Sequence, residues 1–471
     1  MASSSCYNVY IPSDAIPTEQ TKIKLANRIL VSPLIVGTWA WGDKNIWGWN
    51  KELDVKAKEA FDMSLSKGIN TFDTAEIYGF GESERCIARY KANQPVASTK
   101  NIVIATKFLP LPYKLSYPSS LINALRASLD RLKVDCIDLY QIHGPIHLRS
   151  IEVVGNALAE TVKLGLTKTV GVSNYSTTQT IKMYDCLQKH NIQLASNQVE
   201  FSLLRRSPET SGLITECHKR GIAVLGYSPL AMGRLTGKYS QANSLPANRN
   251  LSKINMDELE PLLESMRCIA DKRNVSVSSV ALNYVICKGV IPLGGARDGK
   301  QAEQNAGALG WRLTNEEIAR LETHEPRAVF MVRDDDWDYA RSAGVAIDEN
   351  SFLSIVFASN IGKHIVKSNV QIKPNEWFHI VLVQERQADA RTPQQNLWIN
   401  GKLELTIEVP IAAYSSTATV SLFLWNKWKR SIADMSFWSR RLLPIEIRAI
   451  YEQKISIDKV DVANYIFCHL K

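Results

Sequence analysis

Eight times in succession, over roughly the first two thirds of the chain, a short apolar run is followed by an amphipathic stretch of helical period. The apolar runs lie at 34–38, 70–73, 102–106, 137–142, 169–172, 194–199, 223–225 and 290–293. They show no polar–apolar alternation, as expected of strands buried on both faces. The helical stretches lie at 55–67, 83–91, 119–132, 151–164, 177–189, 209–219, 259–273 and 301–309. Strand–helix alternation predicts a parallel sheet, and eight rounds predict its closure into a (β/α)8 TIM barrel. Residues 21–36 read as a small hairpin running into the first strand. A ninth helix is expected at 315–322, with Thr314 and Glu317 in capping-box spacing, closing the barrel.

Past residue 325 the pattern changes. Strand-like runs at 352–358, 364–372, 377–384, 395–399, 402–408 and 420–425 predict a smaller all-β domain, a jelly-roll-like sandwich. Asn400-Gly401 between two of them is a hairpin turn signal. The expected division is an N-terminal extension over 1–20, the barrel over 21–325, a linker over 326–349 with an acidic run at 334–338, and the β domain over 350–471. A length of 471 residues fits two cores better than one.

Charge and cysteine usage exclude several classes. The net charge of +9 is dispersed, with no run of Lys and Arg, so nucleic acid is not an expected partner. The eight cysteines have no CxxC and no companion His spacing, which predicts reduced thiols and no metal site. No apolar run reaches the ~18 residues of a membrane span. The first twenty residues lack the apolar core of a secretory signal, so a cytoplasmic location is expected, with a plastid left open.

Chemistry collects at the strand ends. In 70–79 (NTFDTAEIYG), Asp73 stands where the second strand emerges and Tyr78 follows on the next loop. Lys107 ends the third strand and His143 the fourth; Asn174, Gln198, Tyr227 and Arg297 sit on or after the remaining four. The carboxyl ends of barrel strands are where barrel active sites lie. Singly, each residue has an ordinary reading: a structural histidine, a surface ion pair, a rim aromatic. Their recurrence at one face points to catalysis.

A phenol of pKa near ~10 is a weak acid at neutral pH; a neighbouring Lys107 ammonium would lower it, and Asp73 would keep that ammonium charged. His143 is placed to orient a carbonyl. With no hydrolase-type nucleophile and base, the site calls for an external hydride donor. A strand-linked GxGxxG is absent, whereas Gly294-Gly295-Ala296-Arg297, leading into a helix, suits a phosphate.

These segments, with 102–107 (IVIATK), 137–143 (IDLYQIH), 171–176 (GVSNYS), 197–204 (NQVEFSLL), 221–239 (GIAVLGYSPLAMGRLTGKY) and 291–311 (IPLGGARDGKQAEQNAGALGW), resemble the aldo-keto reductases in order, over about residues 20–325. The resemblance implies a catalytic tetrad of Asp73, Tyr78, Lys107 and His143 and an NADPH/NADP+ cofactor across the barrel mouth. It puts Tyr227 under the nicotinamide and Ser173, Asn174 and Gln198 at its carboxamide. Thr38 and Trp39 are also counted as cofactor contacts. Ser228, Leu230, Gly233 and Lys238 would line the pyrophosphate, and Gly295, Arg297, Gln301, Gln304 and Asn305 the adenosine end. Residue 304 is Gln where many members have Glu. Arg297 favours NADPH over NADH.

The loops resemble those of plant and bacterial reductases similar to potassium-channel β-subunits. Those subunits supply the alternative, an NADP(H)-sensing regulatory protein with little turnover, but they carry Asn where this chain has His143. Four tryptophans, Trp39, Trp41, Trp47 and Trp49, are expected to form an aromatic wall suited to an apolar or aromatic carbonyl such as pyridoxal.

Residues 375–383 (NEWFHIVLV), 397–401 (LWING) and 432–444 (IADMSFWSRRLLP) resemble the later strands of laminin-G/concanavalin-like domains, whose early strands are not recognisable here. A glycan or protein ligand is the implied partner there. Trp425, Trp428 and Trp438 read as either a sugar platform or core.

Overall fold

Three short strands come first: β1 (Cys6–Asn8), β2 (Lys22–Leu25) and β3 (Ile29–Val31), with β1 parallel to β2 and β2 antiparallel to β3. Ile11, Ile23, Leu25, Ile29 and Val31 are all buried, in one cluster with Ile35, Val103, Leu139, Leu225 and Ile291 from the barrel. Each such side chain contributes roughly 1.5–3 kcal/mol by leaving water. Residues 1–20, expected as an extension, thus supply a strand and a buried isoleucine to the barrel unit, which runs from Met1 to Glu322. The structure is a computed structural model. It describes residues 5–322 apart from 112, 241–242, 244 and 247–255, and nine strands between 327 and 470.

The barrel strands are β4 (Ile35–Gly37), β5 (Thr71–Asp73), β6 (Val103–Phe108), β7 (Ile137–Ile142), β8 (Thr167–Ser173), β9 (Leu194–Glu200), β10 (Ala223–Tyr227) and β11 (Ile291–Gly295). All pair in parallel, and β11 returns to β4 with Leu293 opposite Ile35, closing the barrel. The expected (β/α)8 fold is present. The register sets Lys107 opposite Gln141 and Ser173 opposite Gln198, so several polar side chains gather at one end.

Helix starts follow sequence chemistry. Asn50, Ser150, Ser176, Ser276 and Asp298 each accept a hydrogen bond from a backbone amide of the first turn, and Ser176 completes a capping box with Gln179. Thr314 and Glu317 exchange the expected pair of bonds before the helix Asn315–Glu322. Two helices differ from expectation. The stretch 209–219 is broken at Gly212, φ 77°, into Ser207–Thr210 and Leu213–Lys219. An additional helix, Val277–Cys287, is buried from Ser278 to Ile286; apolar nearly all round, it shows no amphipathic period in sequence.

The second unit, Thr323–Lys471, holds two antiparallel sheets. One runs β12 (Arg327–Met331), β13 (Ala343–Ile347), β14 (Phe352–Ser359), β15 (Gly362–Gln371). The other joins β16 (Phe378–Glu385), β17 (Gln394–Ile399), β18 (Lys402–Glu408), β19 (Ile432–Ser439) and β20 (Ala463–Leu470) in the order β18-β17-β16-β20-β19. The expected linker therefore contains β12 and β13, each built on a short apolar run. Ile399 pairs with Lys402. The Asn400-Gly401 turn between them lies outside the described residues, as do the acidic run, the 420–425 run, Trp425 and Trp428.

Candidate active site

Asp73 is the last residue of β5 and is buried; Lys107, near the end of β6, is wholly buried beside it. A lysine without water needs a counter-charge and acceptors. Its Nζ ion-pairs with Asp73 Oδ1, donates to the Thr74 carbonyl at 2.8 Å, and lies 3.4 Å from the Tyr78 hydroxyl. Asp73 Oδ2 accepts from Gln198 Nε2 at 2.8 Å and Gln141 Nε2 at 3.1 Å. The ring of His143 stands edge-on to Tyr78, centroids 5.6 Å apart at 77°. The four residues are brought together as expected.

Their charge states follow from this packing. Burial alone would strip Lys107 of its proton, but Asp73 and Tyr78 outweigh it and hold the ammonium above its usual range. Burial raises the Tyr78 phenol; Lys107 pulls it down only in part, and Asp73 pushes it up again. The expectation that Lys107 would bring this phenol below its ordinary value is corrected: here desolvation wins and the phenol keeps its proton. Burial, then Lys107, lowers His143 to about 3, so the imidazole is neutral. Its Nδ1 is buried with no hydrogen-bond partner among the described residues.

A cavity of about 1640 Å³ opens above this cluster. Apart from Lys107, which lies beneath the floor, every residue proposed for the site from sequence borders it. Trp39, Trp47, Ile77 and Phe80 are among its walls, with the Trp39 ring centre 6.5 Å from that of Tyr78. Trp41 does not take part: it is fully buried against Phe61, Phe72 and Tyr90, and its indole N–H donates to the Ala296 carbonyl at 2.9 Å. That corrects the expected four-tryptophan wall to Trp39, Trp47 and Trp49.

Along the cavity the backbone is bent to present polar groups. Asn174 has φ 58°, its amide N–H bonded to the Gln198 carbonyl, and its Oδ1 is buried without a partner among the described residues. Ser173 Oγ donates to the same carbonyl at 2.8 Å. After β10, Ser228, Ala231, Met232 and Gly233 all have positive φ, a concentration of strain typical of binding loops. Leu230 and Lys238 flank that turn at the cavity wall, and Tyr227 ends the strand before it.

Arg297 follows β11 at the cavity wall, its guanidinium 5.6 Å from the Trp47 ring centre. Gln301 and Asn305 shape that turn, accepting from the Arg297 amide and donating to the Gly295 carbonyl, with Gln304 alongside. An orphaned amide oxygen, turned backbone amides and a guanidinium in sequence suit the carboxamide, pyrophosphate and ribose phosphate of a nicotinamide dinucleotide. Thr38 borders the cavity too, with its hydroxyl bonded to the Asp73 carbonyl and to Ser83 within the fold.

Gln141 was not singled out in the sequence; the signal that could have found it is its place two residues before His143 on the same strand, which puts both on one face, and the register sets it opposite Lys107. Glu76, between Asp73 and Tyr78, was also passed over. It accepts from the Leu109 amide at 2.8 Å and Lys114 Nζ at 3.0 Å, tying down the neighbouring loop.

The aldo/keto reductase family model matches residues 33–326. This chain belongs to that family. A pyridoxal reductase, chloroplastic, of Arabidopsis thaliana is 39% identical over 312 residues, spanning 64% of this chain and 85% of that protein. An L-glyceraldehyde 3-phosphate reductase of Escherichia coli is 29% identical, over 57% of this chain and 82% of its own. A glycerol dehydrogenase structure from Gluconobacter oxydans is 29% identical with a TM-score of 0.57, covering 67% of this chain and 95% of that one. As a member of the aldo/keto reductases, the protein is an NADP-dependent oxidoreductase acting on carbonyl groups. Among the described residues no His, Cys, Asp and Glu cluster suits a metal, and no helix is long and apolar enough to cross a membrane.

Proposed function

We propose that this reductase converts a flat aromatic aldehyde of the pyridoxal kind to its alcohol, with Tyr78 as proton donor. The observation that carries the reading is the Asp73–Lys107–Tyr78 chain opening, beside a neutral His143, into a cavity walled by Trp39, Trp47 and Phe80. When bound, reduced nicotinamide supplies the hydride. Tyr227, Ser173 and Asn174 would hold its nicotinamide end, Ser228, Leu230, Gly233 and Lys238 its pyrophosphate, and Gly295, Arg297, Gln301, Gln304 and Asn305 its adenosine end.

The chain's own residues do the rest. Neutral His143 directs a carbonyl oxygen toward Tyr78. The phenol donates its proton to that oxygen as negative charge develops there. Lys107 stabilises the phenolate left behind, and Asp73 keeps Lys107 charged. The 39% identity to a pyridoxal reductase supports the substrate class, and the retained His143 disfavours the regulatory-subunit alternative.

The test is NADPH consumption by the full-length protein with pyridoxal, other aromatic aldehydes and short aliphatic aldehydes. Pyridoxal-type aldehydes are expected to give the highest kcat/KM, and Tyr78→Phe to abolish most turnover while NADPH still binds. Undiminished turnover in Tyr78→Phe, or a protein that binds NADPH and reduces no aldehyde, overturns the proposal.

For the second unit the proposal is a laminin-G/concanavalin-like sandwich that takes a glycan or protein ligand, an argument from fold analogy supported by the 375–383 and 432–444 motifs. A cytoplasmic or plastid location is proposed with it; the Arabidopsis relative is chloroplastic.

A further inference from the structure

We infer that Gln141 is a positioning residue of the proton-transfer chain, holding the Asp73 carboxylate so that Lys107 keeps its place against Tyr78. Gln141 is fully buried and does not border the cavity. A buried amide is costly unless its donors and acceptor are met. Its Nε2 donates to Asp73 Oδ2 at 3.1 Å, and its Oε1 faces Ser196 Oγ at 3.5 Å.

The neighbouring strands are shaped around this side chain. Gly171 of β8 lies between Gln141 and Ser196. A Cβ there would stand 2.4 Å from Ser196 Oγ, 3.1 Å from Gln141 Cγ and 3.2 Å from the Ser196 carbonyl oxygen. A leucine or isoleucine, usual in such barrel layers, would leave Asp73 Oδ2 with Gln198 alone. Gln198, however, borders the cavity, where a ligand can compete for its amide. Gln141 is the donor that no ligand reaches.

The consequence is electrostatic. An amide N–H holds Asp73 Oδ2 as a fixed donor, and an amide has no proton to exchange with it. With Oδ2 bound by amides, Asp73 directs Oδ1 to Lys107, whose remaining contacts are the Thr74 carbonyl and Tyr78. The charged or titratable groups facing this carboxylate are Lys107 and Tyr78, with His143 beyond. The inference rests on the tetrad reading above.

Two variants test it. Gln141→Met keeps the side chain's length and removes the donor; Gln141→Glu donates only while protonated. Both are expected to bind NADPH with wild-type affinity, read by quenching of intrinsic fluorescence. In Gln141→Met, kcat should fall about tenfold or more, as expected for losing a hydrogen bond to a charged group, with KM little changed. In Gln141→Glu, activity should survive at low pH and be lost as pH rises, well before the wild-type alkaline decline. A merely structural glutamine would leave the pH profile unmoved.

Wild-type kcat in Gln141→Met, or an unshifted profile in Gln141→Glu, overturns the inference, and the second reading stands alone if the Met variant does not fold. Tyr78→Phe separates the two levels: if it is inactive while Gln141→Met is normal, the tetrad survives and Gln141 has no such role. If Tyr78→Phe turns over normally, the tetrad reading falls and takes this inference with it.

Discussion

Lys107 holds its ammonium 3.4 Å from the Tyr78 hydroxyl while ion-paired to Asp73 behind it. Both Lys107 and Tyr78 are shifted above their ordinary values, and His143 is lowered to about 3. The acid form of Tyr78 therefore persists through neutral and mildly alkaline pH, and His143 adds no charge change above about pH 4. The kcat for aldehyde reduction should be level through neutral and mildly alkaline pH and fall only as the phenol ionises, above the ordinary range of a tyrosine. A pH series at saturating substrate checks this. A fall below about pH 6.5 that vanishes in His143→Gln would contradict the neutral imidazole.

Acid should also weaken the barrel. Burial lowers His143 to about 3 and His218 to about 4, the latter stacked on Tyr10 at 4.1 Å and bonded to the Gly289 carbonyl. The unfolded chain binds these protons first, from about pH 6.5 downward. The stability contributed by the neutral rings is complete above that value and is lost as pH falls toward 4 and then 3. Urea midpoints at pH 7, 5 and 4 should decline, with a shallower decline in His218→Gln. Equal slopes for wild type and variant would rule His218 out as a contributor.

The barrel and most of its site were legible because parallel strands are apolar runs that end in their own chemistry. Asp73, Lys107 and His143 were visible at those ends for that reason. Gln141 was passed over although it lies two residues before His143 and so on the same strand face; a glutamine inside a buried strand reads as a core exception until its partner, the Asp73 carboxylate 68 residues away, is seen. Trp39, Trp41, Trp47 and Trp49 look alike in a row; only the carbonyl of Ala296, 255 residues away, draws Trp41 into the core. The helix Val277–Cys287 escaped notice because it is buried on nearly every side, and β1 because three residues carry no periodicity. The phenol's upward shift depended on how deeply Tyr78 sinks, which local sequence does not encode.

Glu76 controls the loop beside the proton donor. Its Oε1 accepts from the Leu109 amide and from Lys114, whose Nζ also lies 4.5 Å over the Phe108 ring. Glu76→Ala frees both donors, and the loop should then order only when substrate binds. KM is expected to rise about three- to tenfold, the factor for losing roughly 1 kcal/mol of preorganised hydrogen bonding, with kcat changed far less. Steady-state kinetics give the split; an equal loss in kcat would instead place Glu76 in the chemical step.

Glu322, the last residue of the barrel unit, is buried in an ion cluster with Lys288 at 2.5 Å and Arg206 at 3.3 Å, and accepts from Tyr284 at 3.1 Å. Glu209 shares both cations. Glu322→Leu removes one of the two carboxylates that both cations share. Such a loss costs about 3–5 kcal/mol when the remaining charge stays buried. Urea unfolding followed by far-ultraviolet dichroism should show it, while the double change with Lys288→Leu should recover part of the loss. No shift in the midpoint would mean that water reaches the cluster.

Trp47 stands between Trp39 and Arg297 on the cavity wall. It lies edge-on to Trp39, centroids 5.8 Å apart, and its ring centre is 5.6 Å from the Arg297 guanidinium. Its loop is preset: Asp43 Oδ1 accepts from the Asn45 and Ile46 amides at 2.8 Å, and the Trp49 amide returns to the Asp43 carbonyl. Arg297 is thus held by an aromatic face where the adenosine end of the cofactor is proposed to lie. Trp47→Ala removes a cation–π contact worth about 0.5–1 kcal/mol, so the NADPH dissociation constant should rise roughly two- to fivefold. Trp47→Phe should fall between, because a smaller ring retains part of that attraction. Calorimetric titration with NADPH and NADH distinguishes the causes: a loss confined to NADPH implicates Arg297, whereas equal losses would place the effect at Trp39.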